Sequence, residues 1–145
     1  MTFGKTAFLF CALGIIAAAN PNRDDGDTFK GEWKTLSVKQ NGKAVPEEFV
    51  KMMKFKFDGQ KYVQSAGDMS EEGNYTLDAS KMPKTIDLDI KSGNDSGKKQ
   101  LGIYKIEDGK LTFIFSSAGS KDRPKTFQPA EGDDAIEFVL ERDKS

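Results

Sequence analysis

The sequence contains no histidine and only one cysteine, Cys11, in 145 residues. Without histidine there is no Ser-His-Asp triad, no Cys-His pair and no imidazole ligand for a metal. A single cysteine excludes an internal disulfide and a thiolate metal cluster. The 22 basic and 23 acidic residues leave a net charge of −1, which provides no overall attraction to nucleic acid or to anionic membranes. These absences argue against many catalytic and metal-binding classes, and no nucleic-acid partner is predicted.

The one long apolar run lies at the N-terminus, over residues 6–19. Lys5 precedes it and the small residues Ala17-Ala18-Ala19 end it, a pattern that predicts a signal peptide over residues 1–19. The run is shorter than the ~20 apolar residues that a membrane-spanning helix needs. We therefore expect a secreted or periplasmic protein with no stable membrane span after cleavage. An uncleaved N-terminal anchor is the alternative.

The rest of the chain alternates between turn sequences and short stretches of period two. Asn41-Gly42 and Asp108-Gly109 favour two-residue hairpin turns, because both central positions of such turns adopt positive φ. Between the turns, apolar residues alternate with polar ones, as expected for strands with one buried face. The pattern predicts eight strands, near residues 32–40, 53–58, 60–66, 73–79, 84–91, 100–107, 110–117 and 135–142.

The same pattern predicts one short helix and two further segments without strands. Pro46 followed by two acidic residues is typical of a helix start, so we expect a short helix after the first strand. Residues 118–134 predict a long connection, and the polar residues 20–29 predict a flexible linker. The expected fold is all-β: an eight-stranded antiparallel up-and-down barrel over residues 30–143, which leaves no exposed sheet edge. A two-sheet sandwich is the alternative.

The two ends of this domain resemble the lipocalins and the wider calycin group. The first strand opens with Gly31-Glu32-Trp33 and the last ends with Leu140-Glu141-Arg142. In that group the arginine covers the tryptophan ring and helps to close the base of the barrel, and a guanidinium stacks well on an indole face. The resemblance implies that Trp33 and Arg142 close the base of a lipocalin-like barrel.

A longer resemblance is to a family of uncharacterised secreted lipocalin-like domains that is abundant in planctomycete bacteria. It is carried by Gly31-x-Trp33, Asn41-Gly42-Lys43, residues 73–78, Pro83-Lys84-Thr85-Ile86-Asp87, Gly102-Ile103-Tyr104, residues 108–111 and Arg123-Pro124-Lys125-Thr126-Phe127. This family has no established biochemical activity. The resemblance implies a secreted bacterial domain and its fold, while the disulfides of typical lipocalins cannot form in this chain.

The inside of the barrel is the first candidate site. An eight-stranded barrel either fills with side chains or encloses one small ligand. Inward aromatic residues would line such a pocket, and tyrosine hydroxyls would orient the ligand. The candidates are Phe55, Phe57, Tyr62, Tyr75, Tyr104, Phe113 and Phe115. The same residues would form an ordinary core if the barrel is filled, and both interpretations stay open.

Charged residues supply the other candidates. Arg123, in the long connection, could contact an anionic group at the mouth of the barrel, and the alternative is a structural ion pair with Asp122 or Asp133. Asp87 and Asp89 point the same way from one strand, but alternating charge on an outer face explains them better than acid–base or cation chemistry. We predict no catalytic residue, no metal site and no cofactor.

The sequence therefore predicts a non-catalytic binding module rather than an enzyme. Its barrel would hold a small apolar ligand. Alternatively, a filled barrel would serve as a protein-interaction or envelope-associated domain that acts through its loops, with residues 66–72, 92–99 and 118–134 as candidates. The space left inside the barrel distinguishes these two functions.

Overall fold

The computed structural model describes residues 21–144 of the chain. The predicted signal peptide lies outside these residues. Within residues 21–144 there are two helices, α1 at Pro21–Phe29 and α2 at Glu47–Val50. The strands are β1 Gly31–Gln40, β2 Lys43–Ala44, β3 Met53–Phe57, β4 Lys61–Ala66, β5 Met69–Asp78, β6 Lys84–Ile90, β7 Lys99–Glu107, β8 Lys110–Phe115 and β9 Ile136–Arg142.

Eight of these strands close into an antiparallel barrel. The strands β1, β3, β4, β5, β6, β7, β8 and β9 pair in that order. Strand β9 then returns to β1, from the Trp33–Arg142 pair at one end to the Gln40–Ile136 pair at the other. Strand β2 is a short extra strand beside the end of β1. The predicted eight-stranded barrel with a short helix after its first strand is confirmed, and the sandwich alternative is wrong.

The turn chemistry accounts for much of this topology. Asp108 (φ 52°) and Gly109 (φ 76°) both have positive φ between β7 and β8, as the hairpin prediction requires. Asn41 (φ 54°) and Gly42 (φ 85°) form a similar turn. That turn leads into the two-residue strand β2. The next strand of the barrel, β3, begins only after α2.

Two segments differ from the sequence prediction. Strand β5 begins at Met69 rather than near residue 73, so most of the predicted loop at 66–72 belongs to a hairpin that turns at Gly67-Asp68. The predicted flexible linker at 20–29 is wrong for residues 21–29, which form α1. A helix forms in this polar segment because its last residue, Phe29, is fully buried in the barrel core.

The long connection between β8 and β9 packs on the outer wall of the barrel. Ile103 of β7 and Ile114 of β8 point outward, yet both are buried, together with Ala135. Phe127 of the connection packs against them. The connection is therefore held by a second, smaller apolar cluster outside the barrel. No helix within residues 21–144 has the length and apolar character to cross a membrane.

Candidate functional site

The aromatic residues predicted to line the barrel all face inward. Each is at most 7% exposed and belongs to a single hydrophobic cluster. They pack against one another across the interior, since the ring centroid of Phe57 lies 5.0 Å from that of Tyr75 and 5.8 Å from that of Phe113. These are the distances of packed aromatic pairs.

Phe29 fills the base of this interior. Its ring centroid lies 5.2 Å from that of Phe57, 5.1 Å from Tyr104, 5.8 Å from Phe113 and 6.0 Å from Tyr75. Four of the seven aromatic residues predicted to contact a ligand therefore contact the Phe29 side chain instead. The sequence analysis missed Phe29, because a single phenylalanine in a polar segment carries no periodic signal.

Backbone and side-chain contacts hold Phe29, which we call the plug of the barrel, in place. The guanidinium carbon of Arg142 lies 4.3 Å from the centre of the Trp33 ring, so the contact implied by the resemblance is present. The same guanidinium donates hydrogen bonds to the carbonyl oxygens of Thr28 and Lys30. Trp33 Nε1 donates to the carbonyl oxygen of Phe29 over 2.8 Å. The Trp33–Arg142 pair thus fastens the end of α1 to the barrel.

A carboxylate on α1 makes a second attachment. Asp25 accepts a hydrogen bond of 2.7 Å from the Tyr104 hydroxyl and one of 2.9 Å from Lys84 Nζ. Burial, followed by this bond to Asp25, raises the pKa of Tyr104 well above its ordinary value. The hydroxyl therefore stays protonated and remains a donor to α1.

The other two interior tyrosines are also bonded to the protein. The Tyr75 hydroxyl accepts a hydrogen bond of 2.8 Å from the backbone N–H of Gly59. The Tyr62 hydroxyl donates to Glu71 over 2.8 Å. The hydroxyls predicted to orient a ligand thus all have partners within the chain.

Glu71 is an inward residue that the sequence analysis missed. It shares the inward face of β5 with Gly73 and Tyr75, and the same alternation, continued two residues toward the N-terminus, would have revealed it. Burial raises the pKa of the Glu71 carboxyl, while the hydrogen bond from Tyr62 opposes that shift. The raised pKa means that the folded state binds this proton more tightly than the unfolded chain does.

We expect Glu71→Gln to raise the free energy of unfolding at pH 7.5, with a gain that shrinks toward pH 4. Because folding raises the pKa of this carboxyl, the protonated carboxyl favours folding at pH values below the unfolded pKa of 4.5. That contribution to stability is lost as the pH rises through the pKa of the folded state. Glutamine stays neutral and still accepts the bond from Tyr62. Urea unfolding at both pH values measures the effect. Glu72→Gln, on the exposed face, is the control, and an equal gain in both variants would contradict the prediction.

Arg123 lies on the outer wall of the barrel, against β6 and β7, and not among the inward aromatic residues. Its Nη1 lies 2.7 Å from Asp87 Oδ1. The same nitrogen donates hydrogen bonds to the carbonyl oxygens of Gly102, at 2.8 Å, and Ile86, at 3.3 Å. Since these carbonyls use both N–H groups of Nη1, the contact with Asp87 is an ion pair without an aligned hydrogen bond.

The predicted partners of Arg123 were carboxylates of its own loop, and the structure does not pair it with them. Asp133 instead accepts a hydrogen bond of 2.7 Å from the backbone N–H of Ala130. Asp87 lies 36 residues before Arg123 in the sequence, so no local pattern connects the two. The fold of the barrel brings Asp87 beneath the connection. Arg123 therefore fastens the connection to β6 and β7.

Two of the outward carboxylates lie beside basic side chains. Asp87 pairs with Arg123, and Asp89 lies 3.1 Å from Lys91 Nζ. Glu137 is on the outer face of β9, since its neighbour Phe138 faces the core. Among residues 21–144, no three Asp, Glu, Cys or His side chains converge as metal ligands would.

A groove on the outer wall is larger than three other depressions on the described part of the chain. It has a volume of about 830 Å³, against about 340 to 560 Å³ for the other three. It lies between the turn before β6 and residues 121–125 of the long connection. We call it the outer groove, and its charged and apolar walls are Lys81, Met82, Pro83, Ile103, Lys121, Asp122, Arg123, Pro124 and Lys125.

Tyr62 borders the depression on β3, β4 and β5, but Phe29 and the other six predicted aromatic residues line none of these four depressions, which therefore lie outside most of the packed core. The outer groove is therefore a better candidate site than the barrel interior. No protein-family model, curated protein or solved structure matches this chain.

Proposed function

We propose that the protein is a non-catalytic interaction module in which the barrel is a filled scaffold and a protein partner binds at the outer groove. The observation that carries this proposal is the position of Phe29, which occupies the aromatic interior where a ligand would otherwise lie. A filled interior favours the interaction role over the binding of a small apolar molecule, since the core side chains occupy the space that such a molecule would need.

The compartment is part of the proposal. The signal-peptide pattern at residues 1–19 and the resemblance to secreted planctomycete domains both support a secreted or periplasmic location. Two of the stretches that carry this resemblance, Pro83–Asp87 and Arg123–Phe127, meet through the Arg123–Asp87 ion pair. They also form parts of the wall of the outer groove. The groove is thus built by the segments in which the chain resembles that family.

Site-specific photo-crosslinking in the native host tests the proposal. A photoreactive benzoylphenylalanine replaces Met82, which is 97% exposed at the outer groove. The matched control replaces Met69, which is 64% exposed at the opposite end of β5. We expect a protein adduct of reproducible mass at position 82 and none at position 69. Equal labelling at both positions, or no adduct at position 82, would overturn the proposed function.

A further inference from the structure

The outer groove carries a local excess of positive charge in a chain whose net charge is −1. Four cationic side chains and one carboxylate line it: Lys81, Lys121, Arg123, Lys125 and Asp122. The depression on β3, β4 and β5 is more evenly balanced, since its three lysines face two carboxylates, Asp58 and Glu72. The depression bordered by Lys34, Lys110, Arg142 and Lys144 also has two carboxylates, so the outer groove has the largest excess of cationic side chains among these four depressions.

Several of these cations are available to a partner. Lys121 and Lys125 are exposed, and neither forms an ion pair with another residue of the described chain. Lys81 is also exposed, and its charge contributes to lowering the pKa of Asp78. Arg123 is different, because Asp87 already compensates its charge. The charge that faces the groove comes from the three lysines.

The groove also offers apolar surface, which a site for a small inorganic anion does not need. Ile103 is buried at its floor, Pro83 and Pro124 are half-buried in its walls, and Met82 stands almost fully exposed at its rim. Because the lining is concave, a flat bilayer surface cannot reach the floor. A chain segment that carries both acidic and apolar side chains can reach the lysines and the floor together.

We propose that the outer groove binds an acidic peptide segment of the partner, with one apolar side chain against Ile103 and the two prolines and with carboxylates beside Lys81, Lys121 and Lys125. This inference rests on the proposed function and adds the chemistry of the partner. The attraction of the carboxylates to the lysines guides the encounter, and the apolar contact keeps the segment in the groove. Salt weakens the charged part of this interaction.

Fluorescence anisotropy with two labelled heptapeptides tests the inference on the protein from residue 20 onward. The probes are EDEFEDE and its uncharged match QNQFQNQ. We expect the acidic peptide to bind about tenfold more tightly than the uncharged one, and the variant Lys121→Glu/Lys125→Glu to lose about tenfold in affinity. The control Lys43→Glu/Lys61→Glu makes the same change in net charge elsewhere, and its affinity is expected to stay within about twofold of the wild type.

Three results would overturn the inference. They are equal binding of the two peptides, an equal loss in the control variant, and preferential binding of anionic phosphatidylglycerol vesicles that depends on Lys121 and Lys125. The crosslinking experiment distinguishes a failure of the acidic-peptide inference from a failure of the proposed function. An adduct at position 82 whose contact segment is not acidic would remove the acidic-peptide inference and retain the interaction module.

Discussion

Phe29→Ala is expected to lower the free energy of unfolding by about 3–5 kcal/mol, the range typical of removing a buried phenylalanine. The side chain is fully buried and its ring packs against four other aromatic rings. Its backbone carbonyl also accepts the bond from Trp33 Nε1, so the surrounding chain is held in place and cannot collapse freely into the vacated space. Urea unfolding followed by tryptophan fluorescence measures the loss.

The matched control is Phe49→Ala, because Phe49 is 49% exposed on α2. The same chemical change there is expected to cost under about 1 kcal/mol, since little apolar surface returns to water. Equal losses in the two variants would show that Phe29 is not the plug of the barrel.

The Phe29→Ala variant also tests what the aromatic interior can bind. An apolar cavity of this kind stays dry and takes up small aromatic molecules. We expect the variant to bind benzene, with a rise in melting temperature at saturating concentration, and the wild type to show no such rise. A wild-type protein that binds benzene as well as the variant does would favour the small-ligand function over the filled scaffold.

Gly73→Ala is expected to destabilise the protein by about 1–3 kcal/mol through overpacking. A Cβ atom at this position would lie 2.2 Å from the carbonyl oxygen of Asp89 and 2.9 Å from Cε1 of Tyr62. The first neighbour is backbone of β6 and the second is a buried ring, so neither can move without disturbing the barrel. The absence of a side chain at residue 73 thus leaves space for the Tyr62 ring. Urea unfolding measures how much the free energy of unfolding falls when a methyl group fills that space.

Gly26→Ala is the control, and it is expected to act in the opposite direction. Apart from its chain neighbours and the backbone of the helix itself, no atom lies within 4 Å of a Cβ at this position in α1. Alanine is favoured over glycine inside a helix by about 0.8–1 kcal/mol, so this variant should be more stable than the wild type. A loss of stability in Gly26→Ala, or no loss in Gly73→Ala, would contradict the packing described for these two sites.

The barrel was predictable because its information is local. Residues such as Phe55 and Phe57 recur with period two, and Asp108-Gly109 supplies the positive φ that a tight hairpin needs. Each of these signals lies within a few residues of the strand or turn that it predicts. The same argument gave the inward orientation of the aromatic candidates, and it would have given Glu71 if β5 had been extended to its true start.

The plug and the groove were not predictable, because each depends on contacts between distant parts of the chain. Asp25 meets Tyr104, and Arg123 meets Asp87, only after the barrel has closed. By itself the sequence determined an eight-stranded barrel with an aromatic inside. Only the tertiary structure decided that Phe29 fills the interior of the barrel and that lysines of two separate segments line one groove. The reason is that a pattern of period two specifies which face of a strand is buried, but not what packs against that face.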